Sequence, residues 1–138
     1  MQLINILRWV RNRSRIVRLV HARLREPYYA ALERIYAKGI PVRLPGNFGV
    51  RLHPRLLGIQ PDHYEAEFSS FLSTHVRPGM TVLDLGAHVG IHTLRLSKLV
   101  GPAGRVVAVE PSPANAALLR RHLEWNEVTN AAVIEAAV

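Results

Sequence analysis

Apolar residues recur along this chain first at helical spacing, then in alternation, and finally as short unbroken runs between glycine turns. Leu3, Leu7, Val10, Val17, Val20 and Leu24 keep the helical period and predict a helix over 3–25. Pro27 suits the first turn of a second helix with Tyr28, Leu32, Ile35 and Tyr36 on one side, and Gly39 with Pro41 ends it near Lys38. Val42, Leu44, Val50 and Leu52 alternate around Pro45, Gly46 and Asn47, the pattern of two short strands and a turn. Asp62 and Glu65 have the spacing of a capping box, opening a helix whose apolar side is Tyr64, Phe68, Phe71, Leu72 and Val76. Arg77, Pro78 and Gly79 stop it.

From Met80 onward the pattern becomes strand, glycine turn, helix, strand, helix, strand. The predicted elements are a strand at 81–85, a helix at 89–100, a turn at 101–104 and a strand at 105–109. A helix with Pro113 in its first turn and a strand at 132–136 follow. Strands alternating with helices at this spacing predict a parallel sheet joined by right-handed crossovers, an α/β architecture. Three strands are the first half of a doubly wound sheet, so the expectation is a truncated product or a fragment. The alternative is a complete three-stranded domain whose first strand forms an open edge. The expected organisation is a basic helical extension (1–40), a small hairpin and linker (41–61), and an incomplete domain (62–138).

Charge separates these regions. Residues 1–60 hold 12 Lys and Arg against 2 acids, and residues 61–138 hold 6 against 8, within a net charge of +8. The first predicted helix interleaves its apolar stripe with Arg8, Arg11, Arg13, Arg15, Arg18, Arg23 and Arg25, and carries Trp9. Such a helix suits an anionic membrane surface; nucleic acid phosphates and a simple cover helix are the other readings. At 49% hydrophobic and 20% charged, the composition is that of a globular protein. The absence of cysteine excludes disulfides and thiolate chemistry, and no apolar run approaches the roughly 18 residues that span a bilayer. The expected setting is cytoplasmic, peripheral at the inner membrane face.

The most specific stretch is Val82-Leu83-Asp84-Leu85-Gly86-Ala87-His88-Val89-Gly90, where a strand turns into a helix. Gly86 and Gly90 let a ligand approach the backbone, and the helix N-terminus offers unpaired N–H groups. Glu110 lies 24 residues after Gly86 at the end of the next strand, where parallel topology brings it beside the loop and a carboxylate can accept both hydroxyls of a ribose. A nicotinamide or flavin site needs three glycines around a pyrophosphate, which this loop lacks, and Asp84 would repel that group. Asp84 suits instead the cationic end of S-adenosylmethionine (SAM).

Two segments, Pro78-Gly79-Met80-Thr81-Val82-Leu83-Asp84-Leu85-Gly86-Ala87-His88-Val89-Gly90 and Gly104-Arg105-Val106-Val107-Ala108-Val109-Glu110-Pro111-Ser112-Pro113, resemble the FkbM family of SAM-dependent methyltransferases. The resemblance covers about residues 62–138. It implies a class I (Rossmann-like) methyltransferase fold in which Asp84 and the loop Gly86, Ala87, His88 and Gly90 hold the methionine part. Glu110 would hold the ribose, and Pro111 and Ser112 would border the adenine. It also implies O-methylation of a hydroxyl on a sugar, glycolipid or natural product. No metal ligand set and no catalytic base is identified; His88 and His92 read as local capping and helix-surface residues, and Glu65 as a cap that could also face the site. Two other functions stay open: an inert fragment acting as a binding or membrane-associated module, and a nicotinamide-dependent oxidoreductase.

Overall fold

The computed structural model describes residues 15–58 and 65–137, and the chain divides into two units at Ala37 and Lys38. The first unit contributes one helix, α1 (Arg15–Ile35). Pro27 lies inside it rather than opening a second helix. The helix continues through a residue that cannot donate to the carbonyl one turn back. Leu24, Tyr28 and Ile35 are exposed on α1, and the Arg25 guanidinium lies 5.9 Å from the Tyr29 ring centre. The expected basic helix falls largely on residues 3–14, outside the described residues. Among the described residues no helix is long and apolar enough to cross a membrane.

The second unit begins with an antiparallel hairpin, β1 (Ile40–Leu44) and β2 (Phe48–Leu52), pairing Leu44 with Phe48 across the turn. Gly46 and Asn47 both take positive φ, 76° and 57°, which those two residue types tolerate. A 3₁₀ turn (Pro54–Gly58) follows, and then α2 (Ala66–His75). Here the capping-box expectation fails: Glu65 stands at the N-cap in the left-handed region (φ 43°) and its side chain caps nothing. Asp62 and Tyr64 lie outside the described residues. Only part of the expected apolar side is covered, Leu72 being buried while Phe68 and Phe71 are exposed.

The rest is strand–helix–strand–helix–strand: β3 (Thr81–Leu85), α3 (Ile91–Val100), β4 (Arg105–Val109), α4 (Pro113–Trp125) and β5 (Ala131–Ile134). The strands form a parallel sheet in the order β3-β4-β5, with Leu85 opposite Val109 and Val109 opposite Ile134. Helix α3 starts two residues later than its apolar pattern suggests because Gly90, at φ 84°, cannot be helical. Strand β5 starts and ends earlier than the 132–136 run.

Two apolar clusters hold this unit together. Leu44, Phe48, Val50 and Leu52 of the hairpin pack with Val89, Leu94, Ala108, Leu119 and Leu123, and Leu72, Leu96, Val100 and Val106 form the second cluster. The first cluster runs under the loop between β3 and α3 and fixes it from below.

Candidate functional site

All three parallel strands end at the same edge, and the loop 86–90 leaves β3 there. The N–H groups of Gly86 and Ala87 both donate to the carbonyl of Val109, at 2.9 and 3.0 Å, so the loop hangs on the end of β4. Gly86, His88 and Gly90 take positive φ of 75°, 50° and 84°. Histidine is among the few side chains enriched in that region. The N–H groups of this loop are largely satisfied within the fold, Gly90 donating to the Ala87 carbonyl at 2.8 Å and His88 to Glu110.

The two glycines serve different needs. A Cβ on Gly86 would meet nothing within 4 Å, whereas one on Gly90 would stand 2.7 Å from Cγ of Leu119. Gly86 therefore borders open space where a ligand can approach. Gly90 also lets α4 pack against the start of α3, since a side chain there would meet Leu119. Ala87 is likewise buried in the core, and only its backbone belongs to the loop.

Glu110 is held by three hydrogen bonds from the protein. Its Oε2 accepts the His88 N–H at 2.8 Å, and its Oε1 accepts the Ser112 N–H at 3.0 Å and the Asn115 side-chain amide at 3.1 Å. The Ser112 N–H bond first, then Asn115 and His88, hold its carboxyl below the usual carboxylate range against the opposing effect of burial. The carboxylate is thus ionised at neutral pH. Three of its roughly four acceptor positions are filled by the protein, so Oε2 keeps the spare capacity for a ribose hydroxyl rather than both oxygens. Ser112 is the N-cap of α4, accepting from the Asn115 N–H at 3.4 Å, and Pro111 is exposed beside it.

Asp84, half-buried near the end of β3, accepts the Thr93 hydroxyl on Oδ2 at 2.6 Å. Among the described residues its Oδ1 makes no hydrogen bond. Thr93, Asn115 and His122 escaped sequence reasoning. Asn115 occupies the third position of a helix capped by Ser112, a readable signal. The roles of Thr93 and His122 depend on packing across the fold.

His122 is fully buried; its Nδ1 donates to the Val89 carbonyl at 2.7 Å and its Nε2 accepts the His53 N–H at 2.9 Å. Burial lowers its pKa to about 4, so it stays neutral as a clamp between the loop and the hairpin side. His92 is not a helix-surface residue: its Nε2 meets Glu65 Oε2 at 2.6 Å and its ring stands edge-on to Phe68. That contact takes the Glu65 carboxylate away from the helix terminus. Among the described residues no group of three metal-ligating side chains occurs.

Comparison with known proteins places this geometry. A structure described as an rRNA-methylase from Clostridium thermocellum superposes with a TM-score of 0.50 at 24% identity, covering 51% of this chain and 39% of that one. The fold is the class I methyltransferase fold. The cofactor is S-adenosyl-L-methionine, and the open space at Gly86, the free acceptor on Asp84 and the ionised Glu110 fit it. A protein-L-isoaspartate O-methyltransferase of Methanothrix thermoacetophila is 39% identical over 59 residues, 43% of this chain. Protein-L-isoaspartate O-methyltransferase 1 of Arabidopsis thaliana is 35% identical over 66 residues, 48% of this chain. The matched segments span 28% and 29% of those relatives' own lengths.

These matches overturn the resemblance to FkbM, and the hydroxyl acceptor that it implied goes with it. The residues that carried that resemblance were read as a cofactor site, and a cofactor is shared by many methyltransferase families, so such a signal bears on the donor and not on the acceptor. The family model for protein-L-isoaspartate(D-aspartate) O-methyltransferase (PCMT) matches residues 56–137, from the turn after the hairpin through β5, and the chain belongs to that family.

Proposed function

We propose that this chain holds SAM across the ends of β3 and β4, in a protein that methylates the side-chain carboxylate of L-isoaspartyl residues. The observation that carries this reading is the bond from the His88 N–H to Glu110. It joins the loop after β3 to the acid after β4, and both lie within the family match. Asp84 faces the cationic methionine end with Oδ1, while the backbone of Gly86, Ala87, His88 and Gly90 forms the wall beside it. Glu110 accepts from the ribose through Oε2. Pro111 and Ser112 border the adenine.

When bound, SAM supplies a methyl group activated by a cationic sulfur that leaves as a neutral thioether. The chain's task is to orient that methyl group and exclude water, the effect that dominates when the donor is already activated. A carboxylate acceptor is itself ionised at neutral pH, its ordinary pKa being about 4. It needs no general base, whereas a sugar hydroxyl would gain from one.

The test is methyl transfer from labelled SAM to matched peptides containing either L-isoaspartate or L-aspartate. Label on the isoaspartyl peptide alone, released as methanol by mild alkali, is the expected result. Alkali-stable label, or equal labelling of the two peptides, would refute a carboxyl-directed isoaspartyl reaction.

A further inference from the structure

At the opposite end of β3 from the glycine loop lies a cavity of about 490 Å³. It is bounded by the hairpin turn at Gly46 and Asn47, by Arg77 and Pro78 ahead of β3, and by the later turns of α3. Five residues of extended chain, roughly 15 Å, separate it from the cofactor loop. Its volume is within the usual range for a small-molecule pocket, roughly 300 to 1,000 Å³.

Its charge is one-sided. Arg77, Arg95 and Lys98 line it and no carboxylate does. Arg77 and Lys98 are exposed, but Arg95 is only 6% exposed. A buried guanidinium normally has an acid beside it, because removing water from an ion is costly without a counter-charge. Arg95 has instead the Pro45 carbonyl, 2.7 Å from Nη2, and the face of Phe48, 4.8 Å from its Cζ. These use one of its five N–H donors and leave its charge uncompensated. Lys98 stands over the same ring at 5.3 Å, so folding collects like charges that repel one another. Among the described residues neither cation is in an ion pair with an acid.

We propose that this cavity binds a phosphate group, carried by a free phosphate ester or by a nucleotide, between Arg95, Arg77 and Lys98. A planar guanidinium with unused donors matches two phosphate oxygens at once. Three cations suit a group carrying up to two negative charges better than a single carboxylate. Phe48 and Leu99 give an attached organic group an apolar wall. The site is separate from methyl transfer, since SAM carries no phosphate and its loop lies beyond β3.

The experiment titrates the chain with inorganic phosphate and with uridine monophosphate, against chloride at matched ionic strength, following the Arg95 side-chain N–H resonance. The comparison protein carries Arg77→Ala and Lys98→Ala, two exposed positions whose replacement leaves the core intact. A saturable shift with phosphate, weakened at least tenfold in the double variant while SAM affinity is unchanged, is the expected result. Tighter binding of uridine monophosphate assigns a nucleotide, and equal or weaker binding assigns a free phosphate group. A response no different from chloride, or an affinity unchanged in the double variant, would overturn the site.

Discussion

The Thr93 hydroxyl donates to Oδ2 of Asp84 at 2.6 Å, tying the first turn of α3 back to the strand that precedes it. Thr93 is fully buried, so the bond survives competition from water. Thr93→Val removes it at nearly constant volume and should cost about 1 to 2 kcal/mol in urea unfolding. SAM affinity should fall with it, because Asp84 loses its orientation. Thr93→Ser keeps the hydroxyl and should retain most of the affinity; equal losses in the two variants would assign the effect to packing.

Gly86 and Gly90 should respond differently to alanine. At Gly86 the added methyl group meets open space, so the cost is that of a positive φ, about 1 kcal/mol, and the main effect is loss of SAM binding. At Gly90 the methyl group also collides with Leu119, adding about 1 to 3 kcal/mol of overpacking. Thermal unfolding of both variants, with and without SAM, separates the two cases. Equal destabilisation would contradict the assignment of Gly86 to the ligand side.

His122 gives the fold an acid-sensitive clamp. Its ordinary pKa of 6.5 falls to about 4 in the folded chain, chiefly through burial. Between those values the unfolded chain takes up a proton that the folded chain refuses. Stability is therefore undiminished above pH 6.5 and declines as pH falls toward 4, by about 3 kcal/mol in all. Glu110, with a lowered carboxyl pKa, withdraws its own contribution only at lower pH, below its ordinary 4.5. Urea midpoints measured from pH 7.5 to 4.5 should slope for the native chain and flatten in His122→Gln, which carries a donor and an acceptor but does not titrate. Parallel slopes would assign the pH dependence to other histidines.

The parts of the fold legible in the sequence were those set by local chemistry. Strands β3 and β4 and the start of α4 at Pro113 follow from apolar runs bounded by Gly79, Gly86, Gly104 and Pro113. The elements misread are those where a distant partner decides. Glu65 has a capping residue's spacing, but His92, 27 positions on, takes its carboxylate. The packing need at Gly90 was missed as well, because Leu119, 29 positions on, occupies the space a side chain would take. In the candidate site, the approach of Glu110 to the loop after β3 was legible because strand ends in a parallel sheet converge. The family was not legible from the same stretch, and the match to the isoaspartyl methyltransferase family over 56–137 replaced the resemblance read there.

The most direct test of the account is calorimetric titration of SAM into the chain and into Glu110→Ala. Saturable binding at one site is expected, weakened roughly 10- to 100-fold in the variant, the effect of losing a hydrogen bond to a charged group worth about 1.5 to 3 kcal/mol. No binding by the native chain, or the same affinity in Glu110→Ala, would contradict a cofactor site across the ends of β3 and β4.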